Sequence, residues 1–134
     1  MHTCLYPGIS QLLTKLNKQK VPWGIVTNKP ESITHKLVPY FDELDKCQAI
    51  VGGDTLSERK PHPAPLLYAC KQMSVSPEQC LYIGDALRDI EAGNSANMYS
   101  IIALWGYIAD KAHCAQWQAN SQVNLPEEII QFIL

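Results

Sequence analysis

The residues most suited to chemistry lie where apolar runs break into helices. The stretch Tyr82-Ile83-Gly84-Asp85-Ala86-Leu87-Arg88-Asp89-Ile90-Glu91-Ala92-Gly93 is an apolar strand that ends in Gly-Asp and runs into a helix carrying a second Asp. Two carboxylates thus stand at the C-terminal end of a strand, where open α/β sheets bind ligands and where oxygen donors suit a hard cation such as Mg²⁺. That points to phosphoryl chemistry. Asp85 and Asp89 share a helix face at i and i+4, and like charges there repel unless a cation or a basic group sits between them. A metal ion meets that need, and so does Arg88. The competing reading is structural, with Asp85 as the helix N-cap and Asp89 as an acid complementing the helix dipole.

Two further strand ends deliver polar groups to the same edge. Thr27 and Asn28 occupy a strand-to-helix turn, where a hydroxyl and free backbone amides suit a phosphate, although taken singly they are better explained by plain N-capping. Lys60 lies between Arg59 and Pro61-His62-Pro63-Ala64-Pro65, and the following proline holds the backbone extended and aims the side chain. An ammonium there balances phosphoryl charge; an isolated lysine is otherwise a solvated one. His62 reads as a loop residue, and His2, His35 and His113 show no partner pattern.

The elements that must position these groups alternate. Ile9, Leu12, Leu13 and Leu16 fall at helical spacing between Gly8 and about Lys20, with Lys15, Lys18 and Lys20 opposite. Val21 to Thr27 reads as a buried strand, followed by a helix from about Pro30 to Phe41, a strand over Ala49 to Val51 and a helix over Pro63 to Met73 with Leu66, Leu67 and Cys70 inward. Cys80 to Ile83 is a third strand, about Leu87 to Ala96 a helix, and Tyr99 to Leu104 a fourth strand. The segment from Trp105 to Asn124 gives no clear pattern. Leu125 to Leu134 reads as a helix that buries Ile129, Ile130 and Ile133 and carries Glu127 and Glu128 in its first turn. Such alternation implies parallel strands joined by right-handed crossovers: a doubly wound α/β sheet with helices on both faces.

Composition narrows the class. A chain of 134 residues with 46% hydrophobic and 18% charged residues is one globular domain. A formal net charge of -2 with interspersed signs offers no basic stripe for nucleic acid. Cys4, Cys47, Cys70, Cys80 and Cys114 form neither a CxxC pair nor a ligand cluster, and read as reduced thiols in the cytoplasm. No apolar run approaches the roughly 20 residues of a membrane span.

Taken together, Val26-Thr27-Asn28-Lys29, Arg59-Lys60-Pro61-His62-Pro63 and Gly84-Asp85 with Asp89 resemble the haloacid dehalogenase superfamily over nearly the whole chain. The phosphoglycolate phosphatase-like branch is the most similar, through Tyr6-Pro7-Gly8, Trp23-Gly24-Ile25-Val26-Thr27-Asn28-Lys29-Pro30, Asp85-Ala86-Leu87-Arg88-Asp89-Ile90-Glu91-Ala92-Gly93 and Trp105-Gly106-Tyr107-Ile108. A bacterial phosphatase acting on N-acetylmuramic acid 6-phosphate is similar in the same places. The resemblance implies a Mg²⁺-dependent phosphomonoester hydrolase working through an aspartyl-phosphate on a small phosphorylated metabolite. It assigns Thr27 and the Asn28 amide to the phosphoryl oxygens, Lys60 to the phosphoryl group and its attacking carboxylate, and Asp85, supported by Asp89, to the metal.

The family's first motif, Asp-x-Asp-Gly-Thr, is absent, and no Asp-x-Asp pair occurs among the 134 residues. The resemblance therefore implies a Rossmann-like core lacking the family's first strand, its nucleophile and its cap. Without that strand, which in the family lies between those ending at Thr27 and Asp85, the remaining strands should fall into two pairs with unsatisfied inner edges. The expectation is the C-terminal part of a longer phosphatase, inactive alone, its sheet completed by the missing segment or by self-association. The alternatives are a non-catalytic module that holds phosphate or metal and, less well matched because its acids gather at early strand ends, a phosphoacceptor receiver domain.

Overall fold

The computed structural model describes residues 8–28, 47–105, 114 and 116–133. The expected helix from Pro30 to Phe41 lies outside them. Helix α1 spans Ile9–Lys18 and buries Leu12, Leu13 and Leu16, with Lys15 and Lys18 in the last turn where cations complement the helix dipole. Its connection to the first strand is held by a bond from the Trp23 indole to the Asn17 carboxamide, 2.7 Å. Strand β1, Gly24–Val26, is shorter than the apolar run that predicted it and pairs in parallel with β2, Ala49–Val51.

Helix α2, Ala64–Met73, opens with Pro65 in its first turn and closes at Ser74, whose left-handed backbone (φ 56°) ends it. Leu66 and Cys70 face inward as expected, but Leu67 does not; it is exposed, and Pro65 and Ala69 take the buried positions. A 3₁₀ turn at Pro77–Gln79 leads to β3, Leu81–Gly84, then to α3, Leu87–Ser95, and β4, Tyr99–Ala103. The pattern-poor segment contributes β5, Ser121–Val123, and β3, β4 and β5 form a parallel three-stranded sheet in that order. The tail is a 3₁₀ helix, Pro126–Phe132, rather than an α-helix; Ile129 is buried, Ile130 and Ile133 are half-buried, and Glu127 and Glu128 lie in its first turn.

Helices cover both faces, as the doubly wound pattern requires. Leu12, Leu13, Leu16 and Ile129 pack with Leu81, Ile83, Ile101 and Val123 on one face. Leu66, Cys70, Ala92 and Ala96 pack with Tyr82 and Val26 on the other. Alternate residues of β3 therefore point to opposite layers. Helix α2 also rests Ala69 and Met73 on Ala49, Val51 and Val26, so it spans both sheets.

The described strands form a pair and a triplet rather than two pairs, because β5 adds to the second set. In a parallel ladder, alternate residues turn their N–H and C=O to opposite edges. Thr27 donates to the Val51 carbonyl and Gln48 to that of Trp23, so Val26 turns its carbonyl away from β2. Tyr99 donates to the Cys80 carbonyl, which assigns the other edge of β3 to the side away from β4. Those two outward edges carry no ladder partner among the described residues.

Candidate functional site

The site is built around a buried lysine. The loop before α2 carries Lys60 inward to 8% exposure, and its Nζ donates to Asp89 Oδ1 at 2.6 Å, the Tyr82 hydroxyl at 2.9 Å and the Val26 carbonyl at 3.2 Å. Those are the three bonds an ammonium can donate, which offsets the cost of its burial. The solvated-lysine reading is thereby overturned. The ammonium also lies 5.5 Å from the centre of the Tyr82 ring.

Asp89 has two roles, one for each oxygen. Oδ1 takes the lysine, while Oδ2 accepts from the backbone amides of Asp85 and Ala86, both at 3.2 Å. These are orphan amides at the start of α3, so Asp89 caps the helix from its third position. The N-cap is Ala86, not Asp85. The capping reading thus passes from the first aspartate to the second. The basic group that answers Asp89 is Lys60, while Arg88 is exposed.

Gly84 makes this geometry possible. A Cβ there would fall 2.6 Å from both Asp89 Cγ and Oδ2 and closer still to Asp89 Cβ. The glycine before Asp85 leaves the space in which the second carboxylate folds back over the strand end. Gly53 has the same function opposite, where a Cβ would collide with the Asn28 carbonyl.

Thr27 and Asn28 follow directly from the carbonyl that Lys60 holds, and both are half-buried. The structure thus joins the ends of β1 and β3 through Lys60, although the two strands belong to different sheets. Tyr82 supplies a second link, its hydroxyl donating to Val26 O at 3.3 Å. Burial pushes its phenol above the ordinary value, and the charge of Asp89 adds to the rise, so the hydroxyl stays protonated. Sequence reasoning missed Tyr82 because its position in an apolar strand gives no sign that the ring tip reaches a neighbouring sheet. His62 is a loop residue as expected, its Nδ1 accepting from the Ala64 amide at 3.0 Å. An open cavity of about 690 Å³ lies beside the loop, lined by Arg59, Pro61, His62, Leu87 and Glu91 among others, but Lys60 and Asp85 do not line it.

Among the described residues no three His, Cys, Asp or Glu side chains gather as a complete metal cage. Mg²⁺ does not require one, since it is commonly held by one or two carboxylates with waters and phosphate oxygens. Half-buried Asp85 fits that demand. Asp89 stands behind it, already bonded to Lys60 and to the Asp85 amide.

A buried lysine in the loop before α2, tied to an aspartate in the first turn of the helix that follows β3, on a doubly wound α/β body, defines a class that comparison with known proteins makes explicit. Residues 1–103 match the family model described as haloacid dehalogenase-like hydrolase, and the chain belongs to that family. It is 43% identical over 121 residues to a phosphoglycolate phosphatase of Xylella fastidiosa, covering 90% of this chain and 53% of that one. To an N-acetylmuramic acid 6-phosphate phosphatase of Pseudomonas aeruginosa it is 36% identical over 128 residues, covering 96% of this chain and 57% of the relative. The crystal structure of a predicted phosphoglycolate phosphatase from Haemophilus somnus superposes with a TM-score of 0.89 at 30% identity, over 98% of this chain and 58% of that one. The chain spans somewhat more than half the length of these relatives.

Proposed function

We propose that this chain is the phosphoryl-binding core portion of a Mg²⁺-dependent phosphomonoester hydrolase of the phosphoglycolate phosphatase type, acting in the cytoplasm on a small phosphorylated metabolite. The observation that carries the proposal is the buried Lys60, held at once by Asp89 and by the strand end that leads to Thr27 and Asn28. Thr27 and the Asn28 amide would hold two phosphoryl oxygens. Lys60 would take a third, exchanging its longest bond, that to Val26 O, for a charged acceptor. Asp85 would hold the metal, and Asp89 would fix the Asp85 backbone and the Lys60 ammonium relative to each other. A bound Mg²⁺ supplies charge neutralisation for phosphoryl transfer.

The attacking carboxylate would come from an Asp-x-Asp-Gly-Thr strand, a motif these 134 residues do not contain. Its natural place is against the outward edges of β1 and β3, which would then pair on both sides. The test is turnover of p-nitrophenyl phosphate with Mg²⁺. The 134-residue protein alone should show none, and supplying an Asp-x-Asp-Gly-Thr segment, fused or as a peptide, should create activity that Asp85→Ala abolishes. Mg²⁺-dependent turnover by the chain alone, or a folded complemented protein with no turnover, would contradict the proposal. Saturable phosphate binding in that second case would favour a non-catalytic binding module.

A further inference from the structure

Away from the phosphoryl site, two thiols on different elements meet. Cys70 projects from the inner face of α2, Cys80 from the residue before β3, and their sulfurs lie 3.8 Å apart. Neither backbone is free to drift. The Cys80 amide donates to Pro77 O and its carbonyl accepts from Tyr99, while the Cys70 carbonyl accepts from Val75. The two differ in access, Cys70 being buried and Cys80 half-exposed.

We propose that Cys70 and Cys80 are a thiol pair that closes to a reversible disulfide by exchange with a low-molecular-weight disulfide such as oxidised glutathione. The Cys80 thiolate attacks one glutathione sulfur; the glutathione S–S bond breaks, a Cys80–glutathione mixed disulfide forms and one glutathione thiolate leaves. The Cys70 sulfur gives up its proton and attacks Cys80 Sγ, expelling the second glutathione. Two protein thiols are oxidised, and one glutathione disulfide is reduced to two thiols. Side-chain rotation must bring the sulfurs from 3.8 Å to about 2.05 Å. Burial, with the adjacent Cys80 adding, pushes the Cys70 thiol up to about 12, which suits it to the second step rather than the first.

The crosslink would join α2 to the start of β3. Lys60 stands four residues before α2 begins, and Tyr82 lies two residues beyond Cys80, so the bond would brace the two segments whose side chains meet at the ammonium.

Trypsin provides the test, because it cuts after Arg59, Lys71 and Arg88 but not before Pro61, leaving Cys70 and Cys80 on separate peptides. Folded protein treated with oxidised glutathione should yield peptides 60–71 and 72–88 joined and separable by dithiothreitol, about tenfold faster than protein unfolded in urea. Cys70→Ser should stop at the Cys80–glutathione adduct. Full alkylation of both thiols after treatment, a stable Cys80 adduct in the unmodified sequence, or linkage no faster when folded than in urea would each overturn the proposal.

Discussion

The Lys60 ammonium lies 2.6 Å from the Asp89 carboxylate, with the two side chains only 6% and 7% exposed, and so ties together segments 29 residues apart in the chain. A buried pair of this kind is sensitive to loss of either member, since each alone is an uncompensated charge in a poorly solvated place. Lys60→Met or Asp89→Leu should each lower stability by about 3–5 kcal/mol in urea unfolding. The double variant should recover the part due to the unpaired charge, but not the cost of the uncapped Asp85 and Ala86 amides. Single losses below about 1 kcal/mol would show that water, not Asp89, stabilises the lysine.

Gly84→Ala inserts a methyl group where the Asp89 side chain lies. Asp89 must then withdraw, releasing both the Lys60 bond and the two amides that it caps. The expected cost is at least about 2 kcal/mol, measured by urea unfolding, with faster amide exchange at Asp85 and Ala86. Unchanged exchange there would contradict the packing argument.

Tyr82→Phe keeps the ring in the α2 and α3 layer but removes the hydroxyl between Lys60 and Val26 O. A loss of about 1–2 kcal/mol in urea unfolding is expected, because Lys60 loses an acceptor while apolar burial is unchanged.

Alkaline pH should destabilise the reduced protein. Cys70 is raised from 9.0 to about 12, and Tyr82 is raised above 10.0. As pH climbs past each ordinary value, the unfolded chain releases a proton that the folded chain retains, so unfolding is favoured. Thermal midpoints in dithiothreitol should fall as pH rises above about 9, with a gentler fall for Cys70→Ala.

Much of this was legible in sequence where the local signal coincides with the global fold. The amphipathic Leu12, Leu13 and Leu16, the apolar strand ending at Gly84 and the helix after Asp85 each announce themselves by period and turn chemistry. Lys60, Asp85, Asp89, Thr27 and Asn28 were singled out as a set by the resemblance they carry, whereas the bond between Lys60 and Asp89 was not legible. That Asp89 rather than Asp85 caps α3 depends on a side-chain rotation which Gly84 permits. Strand β5 was hidden because Ser121-Gln122-Val123 contributes a single buried apolar side chain. Its place is set instead by a polar node in which Asn120 Oδ1 accepts from the Ser100 amide at 2.8 Å and the Asn120 amide donates back to Ser100 O at 3.0 Å. Partners that close through tertiary contacts of this kind leave no periodic trace.

In the proposed function, Thr27, Asn28, Lys60 and Asp85 make one phosphoryl and metal pocket. Titration calorimetry of inorganic phosphate into the 134-residue protein with Mg²⁺ tests it most directly, on samples first shown to melt cooperatively. Binding should be saturable, require Mg²⁺ and weaken at least about tenfold in Asp85→Ala and in Thr27→Val, a loss of about 1.4 kcal/mol or more. A cooperatively folded protein that binds no phosphate, or binds it equally well without Mg²⁺ and in both variants, would contradict it.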